Sequence, residues 1–232
     1  MNRVVLSGGA VITMDGTEYP EGHVVVEGDR IRSVGPGSAP PLEGRRIDTS
    51  ECLVTPGLVN AHDHLYQWIS RGMAADATLF EWLTALYPVW ARLNAEGVRA
   101  AASAGIGSLT LSGCTTTSDH HYVFPSGAGD LLGAVVDAAE RVGPRLHAVR
   151  GSMDRGRSRG GLPPDSVVED RDDALAATEE AIRRFHDPAP NARVQVAVGP
   201  CSPFSVSAEL MREAADLARR YGVRLHTHLA ET

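Results

Sequence analysis

Two pairs of histidines are spaced so that each pair can present its imidazoles together. His62 and His64 lie in the segment VNAHDHLYQ, and His226 and His228 lie in RLHTHLAET. In an extended strand, residues i and i+2 point to the same side. Two imidazoles on one side can bind a single metal ion, although an isolated His-x-His pair is equally typical of packed or solvent-facing histidines.

The placement of the histidines along the chain favours the metal-binding interpretation. The first pair follows an apolar run that opens with Pro56, His120 and His121 end a second predicted strand, and the last pair ends another. Six of the nine histidines therefore lie at the carboxyl ends of predicted strands, where β/α barrels place their catalytic residues. The other three are interpreted as ordinary surface or core residues: His23, His147 and His186.

Glu231 follows His228 by three residues and supplies a carboxylate. Imidazoles with one coordination position open to water suit zinc or ferrous iron, and such an ion makes hydroxide available near neutral pH. A nearby carboxylate then moves the proton from that water to the leaving group. We therefore predict one divalent metal ion, zinc or alternatively iron, with Glu231 as the proton carrier. Without this spacing Glu231 would be interpreted as a solvated loop residue.

The elements that must position these residues fall into two predicted regions. Residues 1–54 are predicted to form the N-terminal part of a small β-sandwich domain, with short strands and a hairpin that turns at Glu27-Gly28-Asp29. Residues 55–232 alternate apolar strands with segments of helix length, the pattern of parallel β/α units. The predicted strands of this second region are Leu58–His62, Thr115–Asp119, Leu146–Arg150, Val194–Val198 and Val223–His228.

Five helices are predicted to alternate with these strands. In the clearest, Ala208–Tyr221, apolar residues share one face, Ser207 is the expected N-cap and Gly222 ends the helix. The remaining predicted helices are Leu79–Leu93, Glu96–Leu111, Asp130–Val142 and Arg171–His186.

This alternation predicts an α/β fold, namely a partial (β/α)8 TIM-like barrel of about five β/α units. An open doubly wound sheet would alternate in the same way. No strand is followed by a GxGxxG or GxxxxGK[ST] motif, so the nucleotide-binding forms of the open sheet lose support. The barrel is therefore favoured, and closing it would require three further units.

The composition excludes several classes of partner. A formal charge of -7 and a pI near 5.7 argue against binding to nucleic acid or to an anionic membrane. The three cysteines, Cys52, Cys114 and Cys201, form no CxxC pair, which indicates a reducing, cytoplasmic setting. No apolar run is long enough to span a membrane, and residues 1–14 are too interrupted for a signal peptide.

Two of these segments carry a family resemblance. TPGLVNAHDHLYQ resembles the PGxxxxHxH signature of the amidohydrolase superfamily, and HTHLAET resembles the fifth-strand HxxE element of its aminohydrolase branch, which includes guanine, cytosine and S-adenosylhomocysteine deaminases. The resemblance covers essentially the whole chain. It implies that His62, His64 and His228 are metal ligands, that Glu231 is the proton carrier, and that His226 supports the ligands without binding the ion.

The resemblance also implies what this chain lacks. The family needs a histidine from the sixth strand and an aspartate from the eighth, and neither is expected within these 232 residues. We therefore expect the chain to be the N-terminal portion of such an enzyme and to be nearly or wholly inactive alone. Cyclic-amide hydrolases of the superfamily bridge two metals with a fourth-strand lysine, but this sequence contains no lysine. The resemblance therefore implies the mononuclear, deaminase style of site.

Further segments resemble the 8-oxoguanine deaminase group of this branch: SDHHYVFP, GGLPPDSVVED and APNARVQVAVGPCSPFSVS. Gln67, three residues after His64, stands where guanine deaminase-like enzymes place a glutamine that contacts the purine; the alternative is an exposed glutamine that starts a helix. His120, His121 and Arg150 become candidate contacts to ring oxygens. Guanine itself is disfavoured, because PCSPFS replaces the Arg-Phe pair of plain guanine deaminases.

The expected reaction is the hydrolysis of 8-oxoguanine to urate and ammonia, with a small purine-like molecule as the partner. Two alternatives stay open: a related aminohydrolase acting on guanine, a pterin or a triazine, and a metal-binding fragment without turnover. The sequence is compatible with a homo-oligomer and does not predict its size.

Overall fold

The computed structural model describes residues 3–231 and divides the chain into two compact units at Gly57. The division lies close to the boundary predicted at residue 54. The strands of the first unit are β1 (Arg3–Ser7), β2 (Ala10–Ile12), β3 (Glu18–Tyr19), β4 (Gly22–Glu27), β5 (Arg30–Pro36), β6 (Arg45–Asp48) and β7 (Leu53–Val54). They form a four-stranded sheet in the order β5-β4-β1-β6 and a three-stranded sheet in the order β3-β2-β7.

The predicted hairpin of the first unit is confirmed. Strands β4 and β5 are antiparallel, with Glu27 opposite Arg30, so two residues form the turn. The first of them, Gly28, has a φ of +62°, the left-handed conformation that glycine adopts without strain. Val5 and Val25 from neighbouring strands form the buried centre of this small unit.

The second unit consists of parallel strands connected by helices. Its strands are β8 (Leu58–Asn60), β9 (Cys114–His121), β10 (Arg145–Ser152) and β11 (Val194–Pro200), in the spatial order β11-β10-β9-β8. Its helices are α1 (Leu79–Trp90), α2 (Ala95–Leu111), α3 (Leu131–Val142), α4 (Arg171–Phe185) and α5 (Ala208–Tyr221). Because every pairing in this sheet is parallel, the predicted α/β class is confirmed.

The prediction of a fifth strand at Val223–His228 is wrong. This segment makes a single parallel bridge, between Leu225 and Val198, and it follows β11 only through scattered backbone hydrogen bonds. It lies at the edge of the sheet, and no other strand of residues 3–231 pairs with its outer side. Within residues 3–231, this segment can therefore form backbone hydrogen bonds with a neighbouring strand on one side only.

The first barrel strand is also shorter than predicted, because β8 ends at Asn60. His62 and His64 consequently lie in the turn that follows the strand, before a short 3-10 helix at Leu65–Ser70. The turn still places them beyond the carboxyl end of the strand, as a barrel site requires.

The helix predicted most clearly has the expected ends. Ser207 accepts a hydrogen bond from the backbone N–H of Leu210, and Gly222 is left-handed with a φ of +66°. Leu210, Ala214 and Leu217 form its buried face against the sheet. Among residues 3–231, no helix combines the length and apolar character needed to cross a membrane.

The segment Met153–Asp165, which follows β10, is an ordered loop with a short 3-10 turn at Arg157–Arg159. The N–H groups of Asp154 and Arg155 both donate to the carbonyl of Ser205, and the N–H of Leu162 donates to the carbonyl of Phe204. The loop is thereby attached to the chain just after β11.

Candidate metal centre

Three histidines from two distant parts of the sequence meet at one point. His62, His64 and His228 each offer a ring nitrogen, and the three nitrogens lie within 4.8 Å of one another. The Nε2 atom of His64 is 3.2 Å from the Nε2 of His62 and 3.2 Å from the Nε2 of His228. The turn after β8 and the segment beside β11 thus bring together all three predicted ligands.

Hydrogen bonds fix which ring nitrogen of two histidines carries a proton. The Nδ1 of His64 is 2.6 Å from the carbonyl oxygen of His120, and the Nδ1 of His228 is 2.8 Å from that of Cys201. A carbonyl only accepts, so each Nδ1 carries the hydrogen and each neutral ring has a lone pair on Nε2. Burial lowers the pKa of His64 to about 3, which favours the neutral ring.

The resulting donor set fits one divalent cation. Two Nε2 lone pairs facing each other at 3.2 Å repel unless a positive charge lies between them. Zinc binds imidazole nitrogen at about 2.0–2.1 Å, and tetrahedral angles then place neighbouring nitrogens about 3.3 Å apart. The His64–His228 spacing corresponds to that geometry.

His226 contacts the ligand cluster from behind. Its Nε2 lies 3.0 Å from the Nδ1 of His62, so a proton on that Nδ1 can be donated to His226 while the other nitrogen of His62 faces the cluster. Burial lowers the pKa of both rings, which favours their neutral forms. This geometry suits the supporting role predicted for His226, which stays a prediction.

Asp63 and Asn60 shape the turn that carries two of the histidines. One carboxylate oxygen of Asp63 accepts the backbone N–H of His64 at 2.8 Å, and the other accepts the Asn60 side-chain amide at 3.0 Å. Asn60 also donates to the hydroxyl of Thr117 on β9, at 3.2 Å. Neither residue is among the predicted site residues, although an acidic residue between two histidines is a visible signal in the sequence.

A cavity of about 180 Å³ opens beside the cluster, and its lining includes His62, His64, His228, Gln67 and Glu231. Its remaining wall is mostly aromatic and aliphatic: Leu79, Trp82, Leu83, Tyr87, Tyr122 and Phe204. The predicted proton carrier and the predicted glutamine therefore face the same space as the three imidazoles.

Tyrosines hold the side chain of Gln67. Its amide nitrogen lies 3.3 Å from the hydroxyl of Tyr66 and 3.1 Å from that of Tyr122, and both tyrosines are almost completely buried. Gln67 is thus oriented by the protein before any ligand arrives. Tyr122 was not singled out from the sequence, because its partner lies on a different element.

His120 lies behind the ligands. Its ring stacks on that of His228 with centroids 4.7 Å apart, and its Nε2 is 3.3 Å from the carbonyl oxygen of Gly199. His121 points to the opposite side of β9, against Tyr66, because neighbouring residues in a strand alternate. Both histidines are fully buried and neither lines the cavity.

Arg150 is occupied by another partner. Its guanidinium forms a two-point ion pair with Glu169, at 2.7 and 2.6 Å, and lies over the ring of Phe124. It does not line the cavity. The predicted contacts from His120, His121 and Arg150 to ring oxygens stay predictions, and this geometry does not favour them.

Comparisons with known proteins give a family match and several relatives. Residues 53–232 match the amidohydrolase family. An 8-oxoguanine deaminase from Pseudomonas aeruginosa is 44% identical over 226 residues, which cover 96% of this chain and 50% of that protein. An isoxanthopterin deaminase from an unknown prokaryotic organism is 35% identical over 235 residues, which cover 98% of this chain and 48% of that protein. The chain thus spans about half the length of these curated relatives.

A solved structure is similar over nearly the whole chain. The atrazine chlorohydrolase of Arthrobacter aurescens, complexed with zinc, superimposes with a TM-score of 0.92 at 32% identity. The alignment covers 98% of this chain and 53% of that one. Together with the parallel sheet, this likeness confirms the predicted α/β fold with part of a TIM-like barrel.

Proposed function

The chain belongs to the amidohydrolase family, and on that premise we propose that it is the metal-binding part of a hydrolytic deaminase. The proposed reaction removes an exocyclic amino group from a purine-like ring. One observation carries the proposal: the Nε2 atoms of His62, His64 and His228 converge, and the outward protons of two of these rings are fixed by carbonyl groups. The proposed ion is zinc, with iron as the alternative.

The three imidazoles would hold the ion, and their remaining hydrogen bonds would fix its position. When bound, a divalent ion supplies Lewis acidity that lowers the pKa of water toward neutrality. Glu231, on the lining of the same cavity, would take a proton from that water and deliver it to the amino nitrogen. A C–O bond forms, the C–N bond breaks, and the nitrogen leaves as ammonia.

The cavity supports a flat heterocycle as the substrate. Trp82, Tyr87, Tyr122 and Phe204 provide aromatic wall, and planar rings pack favourably against such side chains. Gln67, held by two tyrosine hydroxyls, would contact a polar edge of the ring. We favour 8-oxoguanine, which would yield urate, because the relative bearing that activity is 44% identical.

A second candidate is the same chemistry on a pterin ring. The relative named isoxanthopterin deaminase is 35% identical over nearly the whole chain. Both candidates use the same ligands and the same proton carrier, so they differ only in how the cavity walls fit the ring.

The proposal is tested in two steps. The purified chain should bind about one equivalent of zinc or iron, measured by elemental analysis, and should release little or no ammonia. A protein that carries this sequence over the full length of its relatives should release ammonia from 8-oxoguanine faster than from guanine, isoxanthopterin or an aminotriazine. Faster release from isoxanthopterin would favour the pterin activity. Metal binding without turnover of any of these rings would contradict the deaminase and favour a metal-binding scaffold.

A further inference from the structure

Asp119 is a buried acid in β9 that neither the metal site nor the cavity uses directly. Its side chain is 0% exposed, and its Oδ2 has no hydrogen-bond partner among the described residues. A buried polar atom without a partner destabilises a fold, so an apolar residue of similar size would be the less costly choice at this position. The other oxygen, Oδ1, shows what the acid does there.

Oδ1 of Asp119 accepts the backbone N–H of Leu65 at 2.7 Å. Leu65 directly follows His64, so this hydrogen bond holds the chain immediately after a predicted metal ligand. Asp63 accepts the preceding N–H, that of His64, at 2.8 Å. Two consecutive amides of the turn therefore donate to two different carboxylates.

The end of β9 holds the same turn through its backbone. The N–H of His120 donates to the carbonyl of Asp63 at 2.7 Å, and the carbonyl of His120 accepts the Nδ1 proton of His64 at 2.6 Å. With the Asp119 bond, the turn is held on both sides of His64 and at its ring. Rotation or displacement of that ring would break at least one of these bonds.

We propose that Asp119 is a positioning residue for the metal site, which acts by holding the turn at Leu65 so that the Nε2 of His64 faces the other two imidazoles. This proposal rests on the metal site of the proposed function and goes beyond it to a residue outside the ligand set. Residues that orient metal ligands typically contribute about 10-fold to 100-fold to metal affinity.

The test measures metal binding by the chain itself. Co(II) serves as the probe, because its visible absorption reports the geometry of its ligands, and zinc affinity is measured by competition with a chelator. Asp119→Leu keeps the size but removes the acceptor, whereas Asp119→Asn keeps an oxygen for the N–H of Leu65. Ser118→Ala is the matched control, because Ser118 is the preceding residue of β9, is also buried, and has no hydrogen-bond partner for its hydroxyl among residues 3–231.

We expect Asp119→Leu to weaken zinc binding about 10-fold to 100-fold and to alter the Co(II) spectrum. Asp119→Asn and Ser118→Ala should both stay within about threefold of the unchanged protein. A folded Asp119→Leu variant with unchanged affinity and spectrum would overturn the proposal. If that variant does not fold, Asp119→Asn decides: loss of zinc affinity with an unchanged unfolding midpoint would overturn it, and retention would support it.

The outcomes separate this proposal from the one on which it rests. Absence of Co(II) and zinc uptake by the unchanged protein would overturn both the metal site and the role of Asp119. Uptake that is the same in the unchanged protein and in Asp119→Leu would overturn only the role of Asp119.

Discussion

The turn at residues 60–65 and the segment at residues 223–231 supply the two halves of the proposed metal centre, and they are held differently. The turn is fixed by side chains as well as by backbone, through Asp63 and Asp119 and the end of β9. The later segment follows β11 through a single bridge, backbone hydrogen bonds and the bonds that the side chains of Thr227 and His228 donate to one carbonyl, that of Cys201, and Glu231 at its end is exposed. We therefore expect the turn to be fixed without a metal ion and the segment to be less firmly fixed.

This difference assigns separate tasks to the two halves. The turn provides two of the proposed ligands, with a spacing set by the fold, so it would determine where an ion sits. The segment provides the third proposed ligand and the proposed proton carrier, which must reach both a water molecule and a leaving nitrogen. Changes in the turn should affect mainly metal affinity, and changes near Glu231 should affect mainly turnover.

The largest expected effect tests the proposed role of the segment in proton transfer. In a protein of full family length, Glu231→Gln should lower kcat for ammonia release about 10²-fold to 10⁴-fold, the usual contribution of general acid–base catalysis. Metal content should be unchanged, because Glu231 is not one of the three proposed ligands. Glu209→Gln, at an exposed position in the first turn of α5, is the control. Full activity of Glu231→Gln would remove the proton carrier from the mechanism.

The next effect tests the task of the turn. His64→Ala should lower zinc affinity at least about 100-fold, beyond the range typical of residues that only support a ligand. Competition with a chromophoric chelator measures it on the chain as it stands. His147→Ala, a half-buried histidine in β10, should bind zinc normally. A loss of less than tenfold in His64→Ala would contradict the convergence on His64.

Hydrogen exchange compares the two halves within one sample. Zinc should slow exchange of the His226 and His228 amides by up to about 100-fold when free zinc is 100 times its Kd, because opening of the segment would then require release of the ion. The amide of Leu65, which donates to the fully buried carboxylate of Asp119, should change much less, because the turn is expected to be held without the ion. Equal slowing in both places would show that the turn is no better fixed than the segment.

The smallest expected effects come from replacing one supporting side chain in the turn and one in the segment. Asp63→Ala should weaken zinc binding about tenfold, because the N–H of His64 loses its acceptor. Thr227→Ala removes a long hydrogen bond of 3.3 Å to the carbonyl of Cys201 and should weaken it less than about threefold. A chelator titration in which Thr227→Ala weakens zinc binding more than Asp63→Ala does would contradict the comparison between the turn and the segment.

The sequence predicts those parts of the molecule that depend on local patterns. The hairpin at Gly28 follows from turn chemistry, and α5 follows from its apolar face between Ser207 and Gly222. The spacing of His62 and His64, together with the position of the second histidine pair at the end of another predicted strand, predicts that His62, His64 and His228 come together.

Other features depend on partners distant in sequence, and local patterns carry no signal for them. Arg150, a candidate contact to a ring oxygen, forms an ion pair with Glu169, whose position depends on the path of the intervening loop, and the ring contact stays a prediction. The strand predicted at Val223–His228 depends on neighbours on both sides, and it has only one within residues 3–231. His120 and His121 were grouped as neighbours, whereas strand alternation separates them.

The loop Met153–Asp165 reaches the cavity indirectly, because its Leu162 amide donates to the carbonyl of Phe204, a residue of the cavity wall. The histidine cluster depends on other elements, so an insertion or deletion in this outer loop would shift the wall and leave the ligands in place. A change in this peripheral loop would therefore alter which ring fits the cavity without altering the proposed hydrolytic site.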